Sequence, residues 1–292
     1  MLAGVLLIAL ASVSWGTTGS VSTLLATRAG VEPLLVGAAR MAVAAPLLLA
    51  GSRLLAGTVA VAPGDGARAL LMGACMAGYQ AAYFTAVALT GIAVTAVVAI
   101  CSAPLMIAAL AALLLGERLT ARVVAALALG VAGTSLLVAA PEAGARGAGF
   151  AAGVGLALLA GLAYALYAVI AKAGVARSGP LPLTALAFTA AAVLMAPALL
   201  AVHEPESQVA RGWPWLLYLG AVATAGAYAL YAAGLRRVPA SAAGVVTLLE
   251  PLTAAVLGAV VFGERVGPAG VVGAALLVAA IVVLLPRRGG GG

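Results

Sequence analysis

Along most of this chain polar residues do not alternate with apolar ones; they punctuate long apolar runs. Read as runs of about twenty residues closed by Pro, Gly or charge, the pattern predicts ten membrane-spanning helices. They fall at 3–26, 33–55, 67–89, 93–115, 120–139, 148–172, 181–202, 212–235, 240–262 and 267–286. Most connections are short. Only 56–66 and 203–211 are polar enough to count as loops, and Glu142 to Gly147 reads as a hinge. The expected fold class is therefore all-α, a polytopic membrane protein. The first 27 residues lack a basic leader and a convincing cleavage site, so they are expected to be a genuine first span rather than a secretion signal.

One stretch occurs twice. Ala93–Arg118 and Ala240–Arg265, 147 positions apart, agree at 11 of 26 positions, including Pro104 with Pro251 and Gly116-Glu117-Arg118 with Gly263-Glu264-Arg265. Trp15, Arg28, Gly30 and Pro33 similarly fall opposite Tyr164, Arg177, Gly179 and Pro182. Ten spans and this repeat predict two five-helix units, residues 1–143 and 144–292. An odd number of crossings turns the second unit upside down relative to the first, the inverted-repeat architecture of many secondary transporters, whose substrates bind between the halves.

Composition agrees with lipid as the solvent: 65% of the 292 residues are hydrophobic and 8% charged, too few to cover a water-soluble globule. The net charge of +7 would suggest nucleic acid in a soluble protein, but here the basic residues stand singly or in pairs between spans, and no nucleic-acid partner is expected. With a cytoplasmic N-terminus the inside segments hold Arg53, Arg68, Arg118, Arg122, Lys172, Arg177, Arg236, Arg237, Arg287 and Arg288. The outside segments hold only Arg28, Arg146, Arg211 and Arg265. That bias predicts a multi-pass protein with both termini cytoplasmic. The two Gly-Glu-Arg motifs then face opposite sides, which suits helix stops. Cys75 and Cys101 read as small packing residues, and nothing in the sequence calls for a metal or a cofactor.

Charges inside the spans are scarce, so each is informative. Glu250 lies about ten residues into its helix, roughly 15 Å deep, where a carboxylate is costly unless it faces a cavity, finds a donor or takes up a proton. It could hold a substrate amine or a coupling proton, or be a protonated group bonded to carbonyls freed by Pro251. The matching residue of the first copy is Ala103, beside Ser102, so this chemistry is not shared by the copies. Arg40 cannot shed its proton and needs a partner: a substrate carboxylate, Glu250 or helix carbonyls. Lys172, at the end of its span, is expected to snorkel to the surface.

Tyrosines recur at helical spacing: Tyr79 and Tyr83 with Gln80 beside them, Tyr164 with Tyr167, and Tyr228 with Tyr231. Lipid offers no hydrogen bond to a phenol, so mid-span tyrosines are expected to face the protein interior. Trp213, Trp215 and Tyr218 fit an interfacial belt. The lone histidine, His203, reads as a solvated loop residue, and no catalytic acid/base set can be assembled.

With these features the chain resembles the drug/metabolite transporter superfamily, in its ten-helix EamA type with two five-helix repeats. The resemblance covers nearly the whole chain. It is carried by Ala88-Leu89-Thr90 through Gly116-Glu117-Arg118 and by Leu249-Glu250-Pro251 through Gly263-Glu264-Arg265. Among its branches the chain looks most like bacterial exporters of amino acids, aromatic ones included. The resemblance implies a bacterial inner-membrane location, a central cavity, alternating access and small-metabolite substrates, with no enzymatic activity. The expected function is export of neutral or aromatic amino acids by a monomer embedded in the lipid bilayer, with a possible coupling proton. The expected lining is Trp15, Tyr79, Gln80, Tyr83, Ser102, Tyr164, Tyr228 and Glu250, with Arg40 as a buried charge partner. Other substrates of this fold (sugars, nucleotide sugars, drugs) stay open, although polyanions want several cavity cations and only Arg40 is available. An intramembrane lipid-modifying enzyme is a remote alternative.

Overall fold

The computed structural model describes residues 1–138, 149–262 and 267–284. The second Gly-Glu-Arg, the expected hinge, Arg146, Arg287 and Arg288 and the glycine tail lie outside the described residues. Ten apolar helices account for the spans: α1 (Leu2–Ala29), α2 (Pro33–Leu55), α3 (Asp65–Thr90), α4 (Ile92–Leu115), α5 (Ala121–Val138), α6 (Phe150–Ser178), α7 (Pro180–Ala201), α8 (Pro205–Leu235), α9 (Ala240–Val261) and α10 (Pro268–Leu284). Eight are long and apolar enough to cross a bilayer, and α5 and α10 are shorter apolar helices. Among the described residues there is no strand.

Most ends agree with the hydrophobic pattern to within three residues, and two do not. Helix α6 continues past Lys172 to Ser178, because Gly174-Val175-Ala176 extends an apolar face that Leu183 of α7 covers. Helix α8 begins at Pro205, seven residues early, so the expected loop 203–211 is mostly helical. Its first turns are amphipathic rather than unstructured: Gln208 and Gly212 are buried while Glu204, Val209, Ala210 and Arg211 face outward.

Helices in lipid gain nothing from burying apolar area against one another, so they associate by close backbone approach. A Cβ on Gly73 of α3 would sit 2.5 Å from Ala190 Cβ and 2.6 Å from the Ala187 carbonyl of α7. One on Gly133 of α5 would come 2.7 Å from the Gly273 carbonyl of α10. Gly149 and Gly153, four residues apart, pack on the end of α3: a Cβ at Gly153 would lie 2.4 Å from Thr90 Cγ2. Larger side chains such as Leu113, Val193 and Val260 point outward, where acyl chains would cover them.

The helix pairs follow a rule. Helix α3 packs on α6 and α7, and α4 packs on α6; moving each index by five gives α8 on α1 and α2, and α9 on α1, which are also observed. The pairs α2/α7, α4/α9 and α5/α10 map onto themselves under the same exchange. The two sets of five helices therefore interlock across one shared interface, and the core sits between them.

Both ends of the bundle are tied by polar groups. At the end holding the N-terminus, Asp65 is fully buried at the start of α3; it pairs with Arg68, accepts from the Ser178 hydroxyl and lies 3.7 Å from Arg177 Nε. At the same end the first Gly-Glu-Arg does more than stop α4. Gly116 takes the left-handed conformation (φ 66°) that closes the helix, with the Glu117 N–H donating to the Ala111 carbonyl at 3.1 Å. The Glu117 carboxylate then caps α9, in the other half: it accepts from the backbone N–H of Ala240 (2.6 Å) and Ser241 (3.1 Å) and from the Ser241 hydroxyl (2.7 Å).

Lys172 does not snorkel. Lying inside α6 rather than at its end, its Nζ donates to the carbonyls of Leu235 and Val238, both at 2.7 Å, at the close of α8. At the opposite end Glu32, before α2, accepts from Gln208 Nε2 (2.8 Å) and the His203 N–H (3.1 Å), and Arg211 Nε donates to the Ala29 carbonyl (2.9 Å). The exposed His203 takes part in this cluster through its backbone.

Candidate functional site: an aromatic cluster beside a broken helix

Helix α9 is not continuous. It runs from Ala240 to Val246, turns at 247–248, and resumes from Leu249. Pro251 has no N–H to give to the Thr247 carbonyl, and the Glu250 N–H takes that carbonyl instead, at 3.0 Å, in a tighter turn. The Thr247 hydroxyl is committed to the Gly244 carbonyl at 2.8 Å. Glu250 thus stands in the first turn of a new helical segment, where free N–H groups and the helix dipole favour negative charge. Pro104, at the matching place in α4, leaves that helix continuous. Helix α1 closes on the break: a Cβ on Gly16 would lie 2.7 Å from the Glu250 carbonyl.

Facing this break is a cluster of rings drawn from both halves. Trp15 of α1 lies 4.8 Å from Tyr228 and 5.3 Å from Tyr231 of α8, and 6.1 Å edge-on from Tyr164 of α6. Tyr79 stacks on Tyr83 along α3 at 5.7 Å and reaches Tyr164 at 6.2 Å. Tyr167 and Phe188 of α7 close the far side, 5.5 and 4.6 Å from Tyr228. The i, i+3 and i, i+4 spacings put each tyrosine pair on one face of its helix, and helix packing turns those faces together.

The cluster holds more polar groups than it satisfies. Among the described residues Trp15 Nε1 and the hydroxyls of Tyr164, Tyr167 and Tyr231 are buried without a hydrogen bond of good geometry, although Tyr164 adjoins Tyr231 and Thr184 adjoins Tyr167. In a water-free interior each such group costs on the order of 1–3 kcal/mol unless water or a ligand meets it. The Glu250 carboxylate is within electrostatic reach of Tyr79, Tyr83, Tyr164 and Tyr228.

Of the residues expected from the sequence, Trp15, Tyr79, Tyr83, Tyr164 and Tyr228 join the ring cluster, with Glu250 beside them. Gln80 is buried under it (2% exposed) where α3 meets Gly37 of α2. Ser102 lies against α6: its hydroxyl donates to the Ala99 carbonyl at 3.3 Å and is pressed against Gly161, one turn from Tyr164. Arg40 is 9% exposed and bonds to Thr224 of α8; among the described residues no carboxylate lies within 4.0 Å of it, although Glu250 is within electrostatic reach. Tyr167, Tyr231, Phe188 and Thr224 join the expected residues at the site. The two tyrosines were announced by their spacing to Tyr164 and Tyr228, whereas Phe188 and Thr224 carried no signal.

A bundle of ten apolar helices whose two sets of five share an interface, with an acidic helix break beside a buried ring cluster, is the architecture of a polytopic membrane protein. The chain belongs to the EamA-like transporter family of the drug/metabolite transporter superfamily, whose profile matches residues 2–139 and again 151–285. It is 37% identical over 282 residues to the uncharacterized transporter YwfM of Bacillus subtilis strain 168, covering 93% of this chain and 90% of that protein. An uncharacterized transporter of Archaeoglobus fulgidus matches over 125 residues at 28% identity, 43% of this chain and 44% of that one. A protein of known crystal structure superposes with a TM-score of 0.81 at 23% identity, covering 96% of this chain and 95% of that one; it supports the fold alone.

Proposed function

We propose that this transporter exports neutral, above all aromatic, amino acids by alternating access between two inverted five-helix repeats, residues 1–143 and 144–292. The observation that carries the reading is the ring cluster itself: aromatic side chains from both sets of five helices packed together, buried polar groups among them, and one carboxylate at a helix break. Aromatic side chains offer a ring-shaped substrate stacking and edge contacts, and Glu250 offers an anionic partner for an α-ammonium group or a coupling proton. A helix interrupted at mid-membrane is a recurrent ion- and substrate-binding device of secondary transporters. The exchange rule among the helix pairs supports the two-repeat reading, and the paired family match supports its boundaries.

Orientation follows from charge. The end that holds the N-terminus carries Arg53, Arg68, Arg118, Arg122, Lys172, Arg177, Arg236 and Arg237. Among the described residues the other end carries Arg28 and Arg211. The positive-inside bias supports a cytoplasmic N-terminal end for a protein that, in this reading, sits in a bacterial inner membrane. The deciding experiment is counterflow in proteoliposomes with a panel of labelled amino acids, with and without a pH gradient. Aromatic amino acids should exchange fastest; if no amino acid is exchanged while sugars or other metabolites are, the substrate assignment is wrong.

A further inference from the structure

Arg40 has an arrangement that a purely structural arginine does not need. Its guanidinium carries five N–H donors and cannot be neutralised. Nε donates to the Thr224 hydroxyl at 3.0 Å, and that hydroxyl in turn donates to the Leu219 carbonyl at 2.7 Å. Helix α8 winds as a π-helix from Ala221 to Gly226, and within it the Thr224 hydroxyl reaches the carbonyl five residues back. The Thr224 proton is thereby fixed on Leu219, its lone pair faces Nε, and the plane of the guanidinium is set. Among the described residues its terminal nitrogens have no hydrogen-bond partner, and both ion pairs belong to Asp65. A fixed cation with its forked edge unoccupied is the complement of a carboxylate.

We propose that Arg40 is the carboxylate-binding residue of this site and Thr224 its positioning residue, so that the transported molecule carries a carboxylate at one end and an amine at the other. The inference deepens the amino-acid reading above and rests on it. Glu250 and Arg40 are opposite charges that feel one another without touching, and both act on Tyr79, Tyr83 and Tyr228. A zwitterion lying across those rings neutralises both, whereas an amine or an acid alone leaves one charge bare in the membrane.

The test is binding to purified protein in nanodiscs with three probes: L-phenylalanine, phenethylamine, which lacks the carboxylate, and 3-phenylpropionate, which lacks the amine. Arg40→Gln should weaken phenylalanine and phenylpropionate by about 30-fold and leave phenethylamine within about threefold. Thr224→Val should weaken the two carboxylates by about threefold to tenfold, and Thr224→Ser should restore them. If Arg40→Gln does not fold, the Thr224 pair reads the same selectivity. The proposal is overturned if a folded Arg40→Gln, or failing that Thr224→Val, binds phenylalanine as the parent does, if phenethylamine weakens as much as phenylalanine, or if the parent binds no carboxylate. Binding of phenylpropionate but of no amino acid, lost in Arg40→Gln, would keep the role of Arg40 and refute the amino-acid reading.

Discussion

Two regions of this molecule treat polar atoms in opposite ways. At the end that carries the N-terminus, Asp65, Glu117 and Lys172 are each held by two or more partners, and each ties elements distant in sequence: Asp65 to α6, Glu117 to α9, Lys172 to α8. Midway through the bundle, among the described residues, Trp15, Tyr164, Tyr167 and Tyr231 bury polar atoms without a hydrogen bond of good geometry, and Arg40 and Glu250 stay apart. A satisfied network stiffens a structure, whereas an unsatisfied one stores a preference for whatever completes it. Charge in the membrane is therefore not one signal. Partner count separates the groups that build this protein from those assigned to its work.

The largest effect should come from the built end. Glu117→Ala strips three donors of α9 of their acceptor and should cost about 3 kcal/mol of stability, read as lowered thermal unfolding in detergent; Glu117→Gln should lose less. Lys172→Met removes two charge-assisted bonds to α8 but leaves its carbonyls partly open to water, and a loss of about 1–2 kcal/mol is expected in the same assay. Glu250→Gln should invert the pattern. Transport in proteoliposomes should fall at least about tenfold with its pH dependence flattened, while unfolding temperature holds or rises because a poorly paired carboxylate has been neutralised. Unchanged rate and pH dependence would remove Glu250 from the mechanism.

The smallest effect is expected from Tyr231→Phe, which deletes a hydroxyl without a hydrogen bond of good geometry. Stability should change by less than about 1 kcal/mol, in the favourable direction. A clear destabilisation would mean that water or another group already satisfies that hydroxyl, and the contrast between the two regions would weaken. In each variant stability and transport need to be measured together, since it is their divergence that distinguishes the regions.

Span positions were legible because lipid imposes a length and a composition on any helix that crosses it, and runs closed by Gly, Pro or charge record both. The exceptions are instructive. Lys172 looked like a helix end because charge normally closes a span, yet two free carbonyls of α8 make an interior position affordable. Residues 205–211 looked like a loop because they are polar, yet they form helix whose buried face meets Glu32. The members of the aromatic cluster were half legible: spacing marks which tyrosines share a face, but not that α1, α3, α6 and α8 turn those faces toward one another.

The duplicated stretch divides along the same line. The sequence by itself determined ten apolar spans, their repetition after five, and the scarcity of charge that singles out Arg40 and Glu250, because these depend only on local composition and hydrophobic length. Only the tertiary structure decided that Glu117 caps the opposite half, that Pro251 accompanies a helix break while Pro104 does not, and that Arg40 bonds to Thr224 instead of Glu250. Each of these depends on which carbonyl or amide another helix brings within about 3 Å, and hydrogen-bond geometry at that range is set by packing, to which a repeat in the sequence is blind.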